Sequence, residues 1–380
     1  MAEALCVGVN LLWCLPGAVG GSEEYLVRQL VGLRASDPDL ALRLAVLPGF
    51  AAAHPRLAGS GRDAAVEVVE ASLDAQRRSR RVLTEVTWLP SQMRGLDVVH
   101  HGGGTVPLRS PGPVVVTIHD VQYLHHPEYV SPLKLRYLRL AVPSAVRRAA
   151  VVAVPSEFVR TTVLDAFSSS ADPDRVVVVP HGLDVPADVA GETDLRRRYD
   201  LGDRPFVVYP AVTHPHKQHR FLLQLMAGGC GRWSDPDLLL VAIGGSGLAE
   251  DEVAGTVDAL GLADRVRRPG RVSDADRDGL VAAADAVVFP SQYEGFGAPV
   301  LEAMALGTPV VATDATALPD VVGDAGLVLP LEPAAWSDAL DEVERRRDEL
   351  VAAGRRRAAT FSLRRSGAAL ATAYRLAAAR

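Results

Sequence analysis

Runs of four to six apolar residues, rich in valine, recur along the chain and stop at Gly, Pro or Asp. Cys6–Leu12, Val114–Ile118, Ala150–Val154, Val176–Val179, Phe206–Tyr209, Leu238–Ile243, Ala286–Phe289 and Pro309–Ala312 are such runs. Their apolar positions are continuous rather than alternating, the pattern of strands covered on both faces of a parallel sheet. The Ala/Leu/Arg-rich stretches between them are long enough for helices. The pattern predicts an α/β protein with doubly wound parallel sheets. It restarts near residue 200: positions 184–204 hold Pro186, a Gly-Glu-Thr-Asp stretch and several arginines before a new strand opens at Phe206. A domain boundary placed there gives two Rossmann-like domains, 1–184 and 185–361, and a closing Ala/Leu/Arg helix over 362–380. Two such domains are expected to face a cleft at the carboxyl ends of their sheets, where ligands bind in these folds.

At 380 residues and 48% hydrophobic composition the chain can fill two cores, and this apolar content argues against disorder. A net charge of −6 argues against a nucleic-acid coat. Cys6, Cys14 and Cys230 are scattered and odd in number, so neither a disulfide framework nor a zinc site is expected and a reducing cytoplasm fits. No apolar run approaches the ~20 residues that cross a bilayer. Met1-Ala2-Glu3 lacks a signal peptide's basic region, and Asn10 interrupts the apolar stretch that follows. The 40 basic residues comprise 38 arginines and two lysines, Lys134 and Lys217, which draws attention to the survivors.

The most informative segment runs from Pro290 to Met304 and includes Tyr293-Glu294-Gly295-Phe296-Gly297-Ala298-Pro299 and Glu302. Pro299 suits the first turn of a helix and Gly307 its end. The helix therefore opens after a two-glycine loop, and the amides of Phe296, Gly297 and Ala298 form an anion site suited to phosphate. Glu294 and Glu302 flank it; carboxylates do not bind phosphate, so sugar hydroxyls are their natural partners. The alternative is a capped helix with one surface and one buried Glu. The second segment is Tyr209-Pro210-Ala211-Val212-Thr213-His214-Pro215-His216-Lys217, between a strand and a helix. The Lys217 ammonium there would suit a diphosphate leaving group; the alternative is a solvated lysine. Its neighbouring histidines lack a Cys or carboxylate partner, so no metal is expected.

These motifs resemble those of the retaining glycosyltransferases of family 4, which have the GT-B fold. Glu294 and Glu302 match the family's E-x7-E motif, and Lys217 its diphosphate lysine in the variant form Pro-Ala-x-x-x-Pro-His-Lys. Val178-Val179-Pro180-His181-Gly182-Leu183-Asp184 resembles its strand-to-linker segment. The resemblance implies an N-terminal acceptor domain to which the last helix crosses back, and a C-terminal domain for a nucleotide-diphosphate sugar. It implies that Gly20 and Gly21 lie over the donor, that His119 contacts the sugar hydroxyls as a catalytic residue with Lys217 and Glu294, and that Gly244 lines the nucleotide pocket. Where the family carries an arginine six residues before the lysine this chain has Ala211; Arg271 is a candidate for the nucleotide side. His119 also fits a structural role, and His100 and His101 are expected to be structural.

The implied reaction is front-face transfer of a hexose to a hydroxyl acceptor, with retention and no metal or cofactor beyond the donor. Domain closure would bring His119 and the Gly20–Gly21 loop against the donor and exclude water. GDP-mannose is preferred over dTDP- or UDP-hexoses by analogy alone. The acceptor is a glycan, a lipid-linked sugar or a small molecule. Arg77, Arg78, Arg80 and Arg81 read either as a contact for the cytoplasmic face of an anionic membrane or as a solvated helix face. Two other functions share the architecture: a nucleotide-sugar epimerase, which would need a further acid/base pair, and a non-catalytic nucleotide-sugar-binding subunit.

Overall fold

The valine-rich runs become strands of two wholly parallel sheets in the computed structural model, which describes residues 5–15, 20–58, 65–72, 78–184, 189–228 and 230–380. The first sheet comprises β1 (Cys6–Asn10), β2 (Ala41–Val46), β3 (Val66–Glu70), β4 (Val98–His101), β5 (Val114–Thr117), β6 (Val151–Val154) and β7 (Val176–Val178), in the order β3-β2-β1-β4-β5-β6-β7. The second comprises β8 (Phe206–Pro210), β9 (Leu239–Ile243), β10 (Val266–Gly270), β11 (Ala286–Phe289), β12 (Val310–Thr313) and β13 (Leu327–Leu329), in the order β10-β9-β8-β11-β12-β13. In each sheet the order reverses beside the first strand, between β1 and β4 and between β8 and β11. Loops leaving such strands diverge and leave a crevice at the carboxyl edge. The expected doubly wound, Rossmann-like architecture is what forms.

The chain divides into two units, Met1–Asp184 with Phe361–Arg380, and Val185–Thr360. The first thus contains the final helix, Leu363–Ala378, whose start is capped by the Ser362 side chain accepting from the Arg365 amide. Leu370, Ala371, Ala373, Tyr374 and Ala377 of this helix join the core formed by Val7, Val9, Leu44, Val98 and Val115. It also crosses the helix Gly21–Ser36 backbone to backbone. A Cβ on Gly367 would overlap the Gly32 carbonyl group, and one on Gly32 the Leu363 carbonyl oxygen. The two glycines set this crossing distance.

Two histidines on β4 tie the unit together. The buried His100 ring hydrogen-bonds through Nδ1 to the Tyr374 hydroxyl and through Nε2 to the Thr117 hydroxyl, both at 2.8 Å. The His101 ring meets Asn10 Nδ2 at 3.2 Å and the Ser110 hydroxyl at 2.8 Å. Both are structural, as the sequence suggests. Burial pushes each imidazole pKa down to about 3, helped at His100 by the nearby His101 and His119 and at His101 by Arg148.

Two outcomes are expected. Gly367→Ala should destabilise the chain by about 1–3 kcal/mol through overpacking, although alanine's helix propensity alone would stabilise it by about 1 kcal/mol; chemical denaturation gives the sign. The depressed imidazoles are neutral in the folded state, whereas the unfolded chain takes up their protons below about pH 6.5. Their contribution to stability is therefore complete above that pH and declines as the pH falls toward 3. Tm should drop between pH 7 and 5, and His100→Asn should flatten the slope by about one proton; a flat wild-type profile would contradict this.

Candidate active site

The crevice of the second unit collects the two motif segments. Past β8 the chain runs through Ala211 to the one-turn 3-10 helix Pro215–Lys217 and enters the helix His219–Gly228. Past β11 it loops through Pro290 to Gly297 and enters the helix Ala298–Leu306. The loops are joined by the Gln292 amide, which donates to the His216 carbonyl at 2.8 Å. They are joined again by charge: the Lys217 ammonium donates to Glu294 Oε1 in an ion pair whose side chains are only 17% and 13% exposed. The ammonium also lies 5.6 Å from the centre of the Phe289 ring at the end of β11, a cation–π contact. Beneath it the buried Tyr209 hydroxyl donates to the Lys217 carbonyl. Burial, and then the Glu294 charge, drive the Tyr209 pKa well above its usual value, so this phenol stays a donor.

The Glu294 loop is braced from β12 and the loop that follows it. Thr313 Oγ1 donates to the Ser291 carbonyl at 2.7 Å, and the Glu294 amide donates to Thr316 Oγ1 at 2.9 Å. Thr316 holds φ +57°, rare for a β-branched residue. Gly297 caps the following helix at φ +95°, and a Cβ there would lie 2.5 Å from Leu318 Cδ2. Only glycine fits this close, left-handed turn. Phe296 is buried beside it, Ala298 opens the helix and Pro299 lies in its first turn. Glu302, one turn on, is half-buried near Arg277. Burial opposes the Arg277 charge, and the carboxylates of Glu302, Asp278 and Asp274 more than offset this, raising its pKa.

Ala211 is buried against the strand-end loop of β9. Gly244 approaches so closely that a Cβ would overlap the Ala211 carbonyl oxygen. The Gly247 amide donates to Thr213 Oγ1 at 2.7 Å, and Thr213 and Arg268 both reach the Glu250 carboxylate. Gly244 thus shapes the crevice wall through backbone packing. Arg271 is exposed after edge strand β10, two strands from β8.

The remaining predicted residues belong to the first unit. His119 follows β5, and its Nε2–H donates to the Gly102 carbonyl at 2.8 Å, which fixes the tautomer. Its ring lies 5.8 Å from Trp13 and 5.5 Å from Tyr25, and burial lowers its pKa, only partly offset by the Gly102 carbonyl and Asp120. Gly20, at φ +80°, caps the helix that Gly21 opens; both are exposed. Pro16 to Val19 and Arg77 lie outside the described residues. The helix Arg78–Thr87 carries Arg80 on its exposed side, whereas the Arg81 charge acts on Cys14 and Glu85.

The structure therefore brings Lys217, Glu294 and the Phe296–Ala298 turn into one crevice. Its supports are Tyr209, Phe289, Thr313 and Thr316. Tyr209 and Phe289 read only as strand residues, and no local signal marks the threonines.

Comparison with known proteins places the chain in a family. Residues 192–359 match the family "Glycosyl transferases group 1", and residues 19–186 match "Glycosyltransferase Family 4". Among curated relatives, the O-antigen chain mannosyltransferase B of Escherichia coli is 32% identical over 237 residues, which span 61% of each chain. The alpha-D-kanosaminyltransferase of Streptomyces kanamyceticus is 30% identical over 280 residues, covering 69% of this chain and 70% of the relative. Among solved structures, HepE of Anabaena in complex with UDP and glucose superposes with a TM-score of 0.71 at 21% identity, covering 97% of this chain and 98% of that one. The chain belongs to the group 1 glycosyltransferases of family 4.

Proposed function

We propose that the protein transfers a hexose from a nucleotide-diphosphate sugar to a hydroxyl acceptor with retention of configuration, and that the second unit holds the donor. The observation that carries this reading is the Lys217–Glu294 pair, largely hidden from water beside the Gly297-capped helix mouth at the β8/β11 crevice. A cation and amides at a helix start match a diphosphate, and the adjacent carboxylate matches sugar hydroxyls.

In this reading the diphosphate displaces Glu294 from the ammonium. Lys217 and the amides of the Phe296–Ala298 turn then stabilise the charge that grows on the departing diphosphate. Glu294, released, orients the sugar through its hydroxyls, and Glu302 holds the ribose. No side chain is assigned as nucleophile. The acceptor attacks from the face the diphosphate leaves, and a diphosphate oxygen takes its proton. The neutralising groups come from the protein, so the step needs neither metal nor further cofactor. Ala211 leaves Lys217 as the side-chain cation assigned to the diphosphate, and Arg271, after β10 and two strands from β8, is kept as the candidate for the nucleotide side. The first unit takes the acceptor, with Gly20, Gly21 and His119 in its carboxyl-edge loops. A mannosyl donor such as GDP-mannose is favoured, and the name of the Escherichia coli relative supports that choice.

Incubation with a panel of nucleotide sugars, following released nucleotide and glycosylated product, tests the reading and names the donor. An epimerised sugar without transfer, or binding without turnover, would overturn it. Lys217→Ala should lower turnover ~100-fold or more and weaken nucleoside-diphosphate binding. Glu294→Gln should also cut turnover, yet bind nucleoside diphosphate at least as tightly as wild type, because it frees the ammonium. Equal weakening of binding in both variants, measured by calorimetry, would contradict the proposed exchange of partners.

A further inference from the structure

The helix Pro132–Arg148 has the sequence PLKLRYLRLAVPSAVRR, which contains five cations and no carboxylate in a chain of net charge −6. Its inward face is complete: Val142, Ala145 and Val146 are buried, and Leu135 and Leu138 pack on the same core. On the opposite face, where a solvated helix carries polar groups, stand Leu133, Tyr137 and Leu140, exposed to 82%, 45% and 70%. Their i, i+4, i+7 spacing puts them in one outward ridge. Lys134 flanks the ridge on one side and Arg136 and Arg147 on the other, all exposed. Lys134 is the second of the chain's two lysines.

We infer that this helix is a docking surface for an anionic lipid bilayer. An apolar ridge with cations on both sides is the arrangement that lies in a membrane interface, its leucines among the acyl chains and its cations at the anionic headgroups. Long basic side chains reach outward while their stems cover apolar surface. The helix lies on the membrane rather than in it: none of the described helices is long and apolar enough to cross one. The absence of any acidic residue over 17 positions selects an anionic partner over a second copy of this acidic chain. The inference does not rest on glycosyl transfer, so either can fail alone.

Co-sedimentation of the full chain with vesicles tests it. The protein should pellet with phosphatidylcholine vesicles containing about 30 mol% phosphatidylglycerol, not with phosphatidylcholine alone, and high salt should weaken the binding. Leu133→Glu combined with Leu140→Glu should reduce binding about tenfold or more while leaving Tm and nucleotide release unchanged. Leu83→Glu, on the other arginine-bearing helix, should bind as wild type. If the leucine pair lowers Tm, Lys134→Glu with Arg136→Glu must weaken binding in its place. Failure of wild type to pellet with the anionic vesicles, full binding by the helix variants, or loss of binding in Leu83→Glu would overturn the assignment. So would a wild-type dimer, seen by sedimentation velocity, that the leucine substitutions dissociate.

Discussion

A lysine ammonium and a glutamate carboxylate, drawn together out of water, bind the loop after β8 to the loop after β11. Several side chains at the crevice of the second unit are arranged around that pair. Phe289 offers its ring to the cation, Tyr209 fixes the turn that presents it, and Thr316 holds the backbone of Glu294. Removing either charge would leave the other poorly solvated, which is costly in a partly buried site. In the proposed reaction a diphosphate would replace the carboxylate as the partner of the cation without stranding either charge, the freed carboxylate turning to sugar hydroxyls. The pair gives the ammonium a counter-ion from within the chain.

The strand order makes this meeting unavoidable. β8 and β11 are neighbours in the sheet but distant in the chain, and their connections leave in opposite directions. Residues at their carboxyl ends must face one another whatever the helices between them contain. Leu318 and Gly297 then set the angle at which the next helix enters.

Much of the fold was legible because central strands are apolar on both faces: β8 and β11 coincide with valine-rich runs to within a residue. The strands outside those runs are mostly marginal ones. β3 and β10 are sheet edges, where Glu67 and Glu70 or Arg267 and Arg268 interrupt the apolar pattern because water reaches them. β2 hides because Arg43 sits in its middle, paired with Glu67 on β3. At the site, the chemical groups could be named from their local strings. Their pairing could not, since Lys217 and Glu294 are 77 positions apart and only sheet order relates them. Thr316 was invisible for another reason: its strained backbone is imposed by tertiary packing, against its own preference.

The helix that closes the first unit has a temporal consequence. A ribosome makes the first sheet early and Tyr374 near the end, after the whole of the second unit. Until then the imidazole of His100 lacks its phenolic partner, the Gly32 face of its helix is bare, and the stretch of sheet at β4, β5 and β6 that the last helix covers lies open. The first unit, although its sheet is synthesised first, can complete its fold only after the whole of the second has been made.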